Sequence, residues 1–389
     1  MNSTLAIPPR ILMTADAVGG VWTYAVDLIR ALEDEGVEVI LATMGPEPNA
    51  QQRREVEARG NATLEVSDFD LEWMVDPWSE VEAAGQWLLD LADRYMPDLV
   101  HLNGYAHGAL PWGVPVLVVG HSCVLSWWKC VRGEEAPASW GRYREEVTRG
   151  LHAADRVLAP THAMVATLDE NYGPLPARGV IYNASFVEPL LPDVGDEVIL
   201  SVGRLWDEAK NVGALAEVAH RVGWPIRVAG EDRHPEGGRR TLEGLHALGR
   251  LSRAELVREM TAAEIFVLPA RYEPFGLSAL EAASRGCALV LGDIPSLREV
   301  WGDAARYVPP DRPEEVAFVL NALIDDPGER RRLSVAAHQR ARRYRPKRLA
   351  AEYLTLYGDL LRGGVRPPPH PGRDAVRRPV QVSHRGPRS

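Results

Sequence analysis

Two glutamates, Glu273 and Glu281, stand eight residues apart in the stretch RYEPFGLSALEAASRG, residues 271–286. A carboxylate accepts two hydrogen bonds side by side, which suits the neighbouring hydroxyls of a sugar. The pair brackets Pro274, Phe275 and Gly276. Pro274 cannot continue a strand interior, so the chain bends there. Gly276 lets the backbone come close to a ligand. LSALEAAS then takes helical spacing, with Gly286 placed to stop it. The N–H groups of that first turn suit an anion such as a diphosphate. The two carboxylates are therefore expected to touch separate parts of one extended ligand. On an isolated helix the same spacing would describe two solvated charges. The Pro-Phe-Gly bend, and the apolar run EIFVLPA before it, favour a site.

Other candidates stand at the ends of apolar runs. Gly19 and Gly20, in TADAVGGVWTYAVDLIRAL, fall between a strand and a helix. Glycines there let the backbone pass close to phosphate or acceptor, or simply make a tight turn. His121 follows the strand VPVLVVGH, and Asn103, Tyr105 and His107 follow LVHLN; the latter three are expected to line an acceptor side. Trp127, Trp128 and Trp140 make SWWKCVRGEEAPASWGRY unusually aromatic. They suit stacking on a sugar ring or an apolar acceptor, or a helix core. HSC-x6-C offers no four-ligand zinc spacing, so Cys123 and Cys130 are expected as buried thiols and no metal is expected.

Such residues need a scaffold that gathers strand ends. RILMTA, VEVILAT, LVHLN, VPVLVVGH and RVLAPT read as strands, and WTYAVDLIRALEDEG, EVEAAGQWLLDLADRY and YREEVTRGLHAAD as amphipathic helices. The alternation predicts a parallel α/β unit over residues 1–190. ASFVEPLLPDVGDE interrupts it as a linker near 184–197. The alternation resumes from VILSVGRL and predicts a second unit over 196–345. A helix over 347–362 closes the pattern. Residues 364–389, rich in Pro and Arg with no apolar period, are expected to be a disordered basic tail. Two doubly wound units joined by a linker make a cleft, and ligands bind such sheets beyond the carboxyl ends of the strands.

Composition narrows the partners. The chain has 389 residues, 46% of them hydrophobic, and a formal net charge of −10. Residues 1–100 hold 19 Asp+Glu against 6 Lys+Arg. Such a surface should be repelled by nucleic acid and by anionic lipid, so neither is an expected partner. Three cysteines make no disulfide framework. The start shows no basic-then-apolar leader, and no run reaches about 18 apolar residues. A cytoplasmic protein with reduced thiols is the expectation.

EPFGLSALEAASRG, followed by CALVLGDIPSLREVWGDAARYVPP, resembles the donor-site signature of family 4 glycosyltransferases, the retaining GT-B enzymes that include bacterial glycogen synthases and sucrose synthases. The resemblance covers about residues 10–360. It implies two Rossmann-like domains, acceptor on the first and nucleotide-sugar donor on the second, with the helix 347–362 packing back on the first. It implies that Glu273 bonds hydroxyls of the donor sugar. The amides of Phe275, Gly276 and Leu277 would meet the distal phosphate, and Glu281 the ribose hydroxyls. In SVGRLWDEAKNVGAL, Arg204 and Lys210 would neutralise the diphosphate; fixed cations stabilise the charge a leaving diphosphate gains. Their spacing is one residue longer than the family's. Gly19 and Gly20 match the family's N-terminal glycine loop, and His121 a histidine beside the donor sugar. Asn183 matches an Asn-Gly position at which this chain has Ala184. No metal or other cofactor is implied; a UDP-, GDP- or ADP-sugar would be the co-substrate, and a carbohydrate or small molecule the acceptor.

Alternatives remain open at this point. Asp68 and Asp70 in SDFDLEW form a D-x-D, the metal motif of the other glycosyltransferase fold. A GT-B phosphorylase of the glycogen type would need a pyridoxal-phosphate lysine, and the chain has only Lys129, Lys210 and Lys347. A GT-B epimerase and a non-catalytic nucleotide-sugar binder of the same fold are further readings. A dinucleotide oxidoreductase lacks its G-x-G-x-x-G after the first strand.

Overall fold

The computed structural model describes residues 8–175, 177–192, 195–231 and 242–363. Strands β1 (Arg10–Asp16), β2 (Glu38–Met44), β3 (Ala62–Val66), β4 (Leu99–Leu102), β5 (Val116–Val119), β6 (Arg156–Ala159) and β7 (Arg178–Val180) form one sheet in the order β3-β2-β1-β4-β5-β6-β7. Strands β8 (Asp196–Val202), β9 (Ile226–Ala229), β10 (His246–Gly249), β11 (Ala263–Leu268), β12 (Ala288–Gly292) and β13 (Arg306–Val308) form the second, in the order β10-β9-β8-β11-β12-β13. Pairing is parallel in both, as in Met13 opposite His101 and Phe266 opposite Leu200. These are two Rossmann-like units with helices interleaved between strands.

The strand order reverses between β1 and β4 in the first sheet and between β8 and β11 in the second. Loops leaving neighbouring strands in opposite directions open a crevice there. Gly19 follows β1, Asn103 follows β4, Arg204 follows β8 and Glu273 follows β11. The topology therefore puts the main sequence candidates at the two switch points.

The central strands are largely apolar because both faces are covered: five of the seven β1 residues and all of β12 are buried. Helix Gly20–Glu33 turns Ala25, Leu28, Ile29 and Leu32 to the sheet, one face at helical spacing. Residues 181–192, between the units, carry no regular structure. Elements that the apolar pattern did not predict also appear: β3, β7, β10 and β13, and the helices Ala50–Glu57, Val124–Arg132, His162–Tyr172, Pro295–Trp301 and Pro327–Ala341.

The last helix, Pro346–Gly363, buries Leu349, Ala350, Tyr353, Tyr357 and Leu360 in the core of the first unit, with Ile11, Leu28 and Leu32. Its tyrosines carry their hydroxyls into that core and need partners there. Tyr353 meets the Tyr24 hydroxyl at 2.5 Å, and Tyr357 meets His101 Nδ1 at 2.9 Å. Burial, with His121 nearby, pushes the His101 pKa down to about 3, so the ring is neutral in this cluster. Tyr353→Ala is expected to cost about 3–5 kcal/mol, read as a lowered urea midpoint, because it empties a fully buried aromatic site. Residues 364–389, expected to be disordered, lie outside the described residues. Among the described residues no helix is long and apolar enough to cross a membrane.

Candidate active site

The bend after β11 is held by its own glutamate. Glu273 Oε1 accepts from the Gly276 N–H at 2.9 Å and the Phe275 N–H at 3.3 Å. Its Oε2 receives Lys210 Nζ at 2.5 Å. Gly276 takes φ 89°, the left-handed region that a residue with a Cβ enters at a cost, and starts helix Leu277–Ser284. Ser296 Oγ and Thr161 Oγ donate to the Glu273 and Pro274 carbonyls at 2.5 and 2.9 Å. The Phe275 and Gly276 amides, expected to meet a phosphate, are bonded here by the Glu273 carboxylate, a side chain folding back on the turn that follows it. The Phe275 ring is a core residue, 2% exposed. Leu277 opens the helix without a side-chain cap.

Arg204 faces the glycine loop across the crevice. A Cβ on Gly19, which has φ 89°, would lie 3.2 Å from Arg204 Nη1. A side chain there would crowd the guanidinium. Gly20, by contrast, borders open space. Arg204 Nη2 donates to Asp207 Oδ2 at 2.7 Å, and its guanidinium lies 5.1 Å from the Trp206 ring centre. Its Nε is buried without a hydrogen bond. Burial pushes the Asp207 carboxyl up, but Arg204, Lys210 and the Ala209 N–H together hold it below the ordinary value. Asp16, at the end of β1, is a further carboxylate in this neighbourhood. Burial raises its pKa to about 6 against the Val18 N–H and Arg204.

On the opposite wall, Asn103 ties β4 to β1 and orients His121. Its N–H donates to Thr14 Oγ1 at 2.9 Å, its Nδ2 to the Thr14 carbonyl at 2.7 Å, and its Oδ1 meets His121 Nε2 at 2.8 Å. The His121 ring packs 4.3 Å from Tyr24. Burial pushes its pKa down to about 3, so it stands as a neutral imidazole.

Tyr105 and His107, expected to line the acceptor side, do other work. Tyr105 is 3% exposed, with its hydroxyl donating to the Ser122 carbonyl at 2.7 Å. His107 Nε2 bonds the Val81 carbonyl at 2.9 Å. Both anchor the loop after β4 to the first core, and half-buried Glu72 caps that loop through the Tyr105 and Ala106 N–H groups. Trp127 and Trp128, both half-buried, stack edge to face at 5.8 Å under Arg132. Trp127 Nε1 also reaches Asp207 Oδ1 of the second unit at 3.4 Å. Trp140 packs edge to face on Tyr143. Cys123 is buried, but Cys130, expected to be buried too, is exposed on the outer side of helix Val124–Arg132.

Glu281 is buried at 8% exposure on the same helix as Leu277. Burial raises its carboxyl to about 7 against the pull of Arg253 and Ser185. Arg253, Asp27 and Ser185 around it, like Asp16, escape a reading of contiguous motifs. The signal available was a single one, an aspartate inside the apolar stripe of WTYAVDLIRAL. Among the described residues no group of three or more His, Cys, Asp or Glu is gathered as a metal site. Asp68 is exposed in the stretch after β3.

Further contacts join the two units around the crevice. The Cys123 N–H donates to the Tyr272 hydroxyl at 3.1 Å. Arg132 pairs with Glu208 at 3.0 Å, and the His162 and Ala163 N–H groups bond the Glu299 carboxylate at 2.8 and 2.9 Å. The crevice thus sets Arg204 directly against the glycine loop, with the Lys210–Glu273 ion pair on the same unit and the neutral His121 imidazole on the other.

Known proteins share this frame. Residues 18–184 match the family described as Glycosyltransferase Family 4, and residues 185–340 match Glycosyl transferases group 1. A glycogen synthase of Mycobacterium tuberculosis is 26% identical over 85% of this chain and 90% of its own. A D-inositol 3-phosphate glycosyltransferase of Kineococcus radiotolerans is 27% identical over 88% and 91%. Among solved structures, sucrose-phosphate synthase from Thermosynechococcus elongatus superposes with a TM-score of 0.76 at 18% identity, covering 92% of this chain and 100% of that one. Anabaena HepE in complex with UDP and glucose gives 0.70 at 14% identity, covering 90% and 100%. The fold and the crevice define a GT-B protein. The chain belongs to the family 4 glycosyltransferases, and it is a transferase of that type.

Proposed function

We propose that this enzyme moves a hexosyl group from a nucleotide-diphosphate sugar to a sugar or small-molecule acceptor, with retention of configuration and without a metal. The observation that carries the reading is the Lys210–Glu273 pair at the start of helix Leu277–Ser284, with Arg204 facing Gly19 nearby. Two fixed cations there would stabilise the charge that a diphosphate gains on leaving. A carboxylate beside them is available to sugar hydroxyls. In that reading Glu273 turns from the Phe275 and Gly276 N–H groups to the sugar, and releases those donors to the distal phosphate. Arg204 then exchanges part of its contact with Asp207 for phosphate oxygens. Glu281 takes the ribose, and His121, oriented by Asn103, positions the sugar as a neutral hydrogen-bonding group. A UDP-sugar donor is supported by the neighbour solved with UDP and glucose, and a carbohydrate acceptor by the glycogen synthase relative.

The step is a front-face exchange. The bond from the anomeric carbon to the phosphate oxygen breaks, and the bond to the acceptor oxygen forms on the same face. The acceptor proton passes to the leaving phosphate. Closing the units excludes water and favours transfer over hydrolysis. The test is proton NMR of the first product formed, in the presence of EDTA. Retained anomeric configuration at an undiminished rate is expected. An inverted product, or a rate restored only by manganese, contradicts the mechanism, and binding without turnover favours a non-catalytic nucleotide-sugar binder. A cytoplasmic location, where nucleotide sugars and reduced thiols coexist, completes the proposal.

A further inference from the structure

The second glutamate of the signature is tied to the other unit by an arginine. Arg253 opens the helix Arg253–Ala262 of the second unit, and Asp27 lies on helix Gly20–Glu33 of the first. Arg253 Nη1 donates to Asp27 Oδ1 at 3.0 Å and Nη2 to Oδ2 at 3.2 Å, a paired fork across the crevice. The same Nη2 stands 3.5 Å from Glu281 Oε1, which also accepts from Ser185 Oγ at 3.3 Å. The Asp27 and Glu281 side chains are 3% and 10% exposed. One guanidinium is thus shared by two buried carboxylates, one from each unit. Burying charges this way stabilises little in itself, so a role in recognition is the better account.

We propose that Arg253 is a positioning residue for donor recognition: it keeps the Glu281 carboxylate ready for the ribose hydroxyls, and its fork on Asp27 couples that readiness to the approach of the first unit. This rests on the ribose reading of Glu281. The charged groups around Glu281 set the direction of the effects. Arg253 faces it from one helix and Asp27 from another, with Arg30 and Glu55 close to Asp27. Ser185 faces it from the linker, and His338 lies beside the backbone of Ala283 and Ser284 near the end of its own helix. Removing Arg253 removes the cation that opposes burial, so Glu281 holds a proton to higher pH and loses an acceptor oxygen. Removing the Asp27 charge does the reverse, because a like charge disappears and the guanidinium is left to Glu281. A merely structural tie would weaken both variants alike.

The experiment titrates the full-length protein calorimetrically with UDP, GDP and ADP and then with the 2′-deoxy form of whichever binds, between about pH 6 and about pH 9. The ratio of the two dissociation constants cancels titration of the phosphate, which both ligands share. In the wild type the preference for ribose is expected to rise with pH through about 7. Arg253→Gln moves that rise upward by about one pH unit, a loss of up to about tenfold in preference near neutrality. Asp27→Asn moves it downward, and Arg253→Lys keeps the wild-type profile. An unchanged profile in Arg253→Gln, with the preference abolished in Glu281→Gln, overturns the role of Arg253 alone. A full preference surviving in Glu281→Gln overturns the ribose reading and this assignment with it.

Discussion

Arg204→Ala is expected to lower kcat by about 10²–10³-fold while the protein stays folded. The guanidinium is the cation of the second unit that reaches the glycine loop of the first, with Nη1 3.2 Å from where a Gly19 Cβ would stand. A diphosphate bound beside them would gain negative charge as the sugar departs, and a fixed cation there would act mostly on the transition state. The fold should survive because the partner left behind is not abandoned. Asp207 keeps the Ala209 N–H at 3.0 Å and Trp127 Nε1 at 3.4 Å. Steady-state kinetics with thermal melting separates the cases. Wild-type kcat would remove Arg204 from the site, and a collapsed melting transition would mean that the residue is structural.

Glu273→Gln is expected to cost a comparable factor in kcat, with a near-native melt. Its amide oxygen can still accept from the Phe275 and Gly276 N–H groups, but it no longer carries the charge that faces Lys210. Glu273→Ala removes both functions. It leaves two N–H groups and the largely buried Lys210 ammonium without the partner that holds them now. A further stability loss of about 1–3 kcal/mol should then appear in urea unfolding. If Gln kept the wild-type kcat and melt and Ala lost stability alone, the carboxylate would be a helix cap and nothing more.

The residues differ in how far their sequence neighbourhoods betray them. The two sheets were legible because β1, β2, β8, β11 and β12 are buried along most of their length and read as largely apolar runs. Three- and four-residue strands such as Arg306–Val308 and His246–Gly249 are too short to show a period. Helix Pro327–Ala341 carries RRR over its second turn, and its apolar contacts, Leu333, Ala337 and Ala341, are few. At the site, Glu273 was visible because it follows an apolar strand at the carboxyl edge, and Arg204 and Lys210 through the resemblance of SVGRLWDEAKNVGAL to the family. Strand-end position does not settle where a side chain points, which is why Tyr105 and His107 turn inward. Nor does it show that Glu273 would take the amides beside it. Arg253, Asp27 and Ser185 converge on Glu281 from three separate segments, and tertiary packing alone brings them together.

The donor site is tested most directly by calorimetric binding of UDP, GDP and ADP, each without added metal, to the wild type and to Glu281→Ala. Selective binding of one nucleotide by the wild type, weakened in the variant, is the predicted result, and it names the donor to assay for turnover. Absence of binding by all three to the wild type would contradict the donor-site assignment: the EPFGLSALE segment would then serve packing, and the nucleotide-sugar reading would fall.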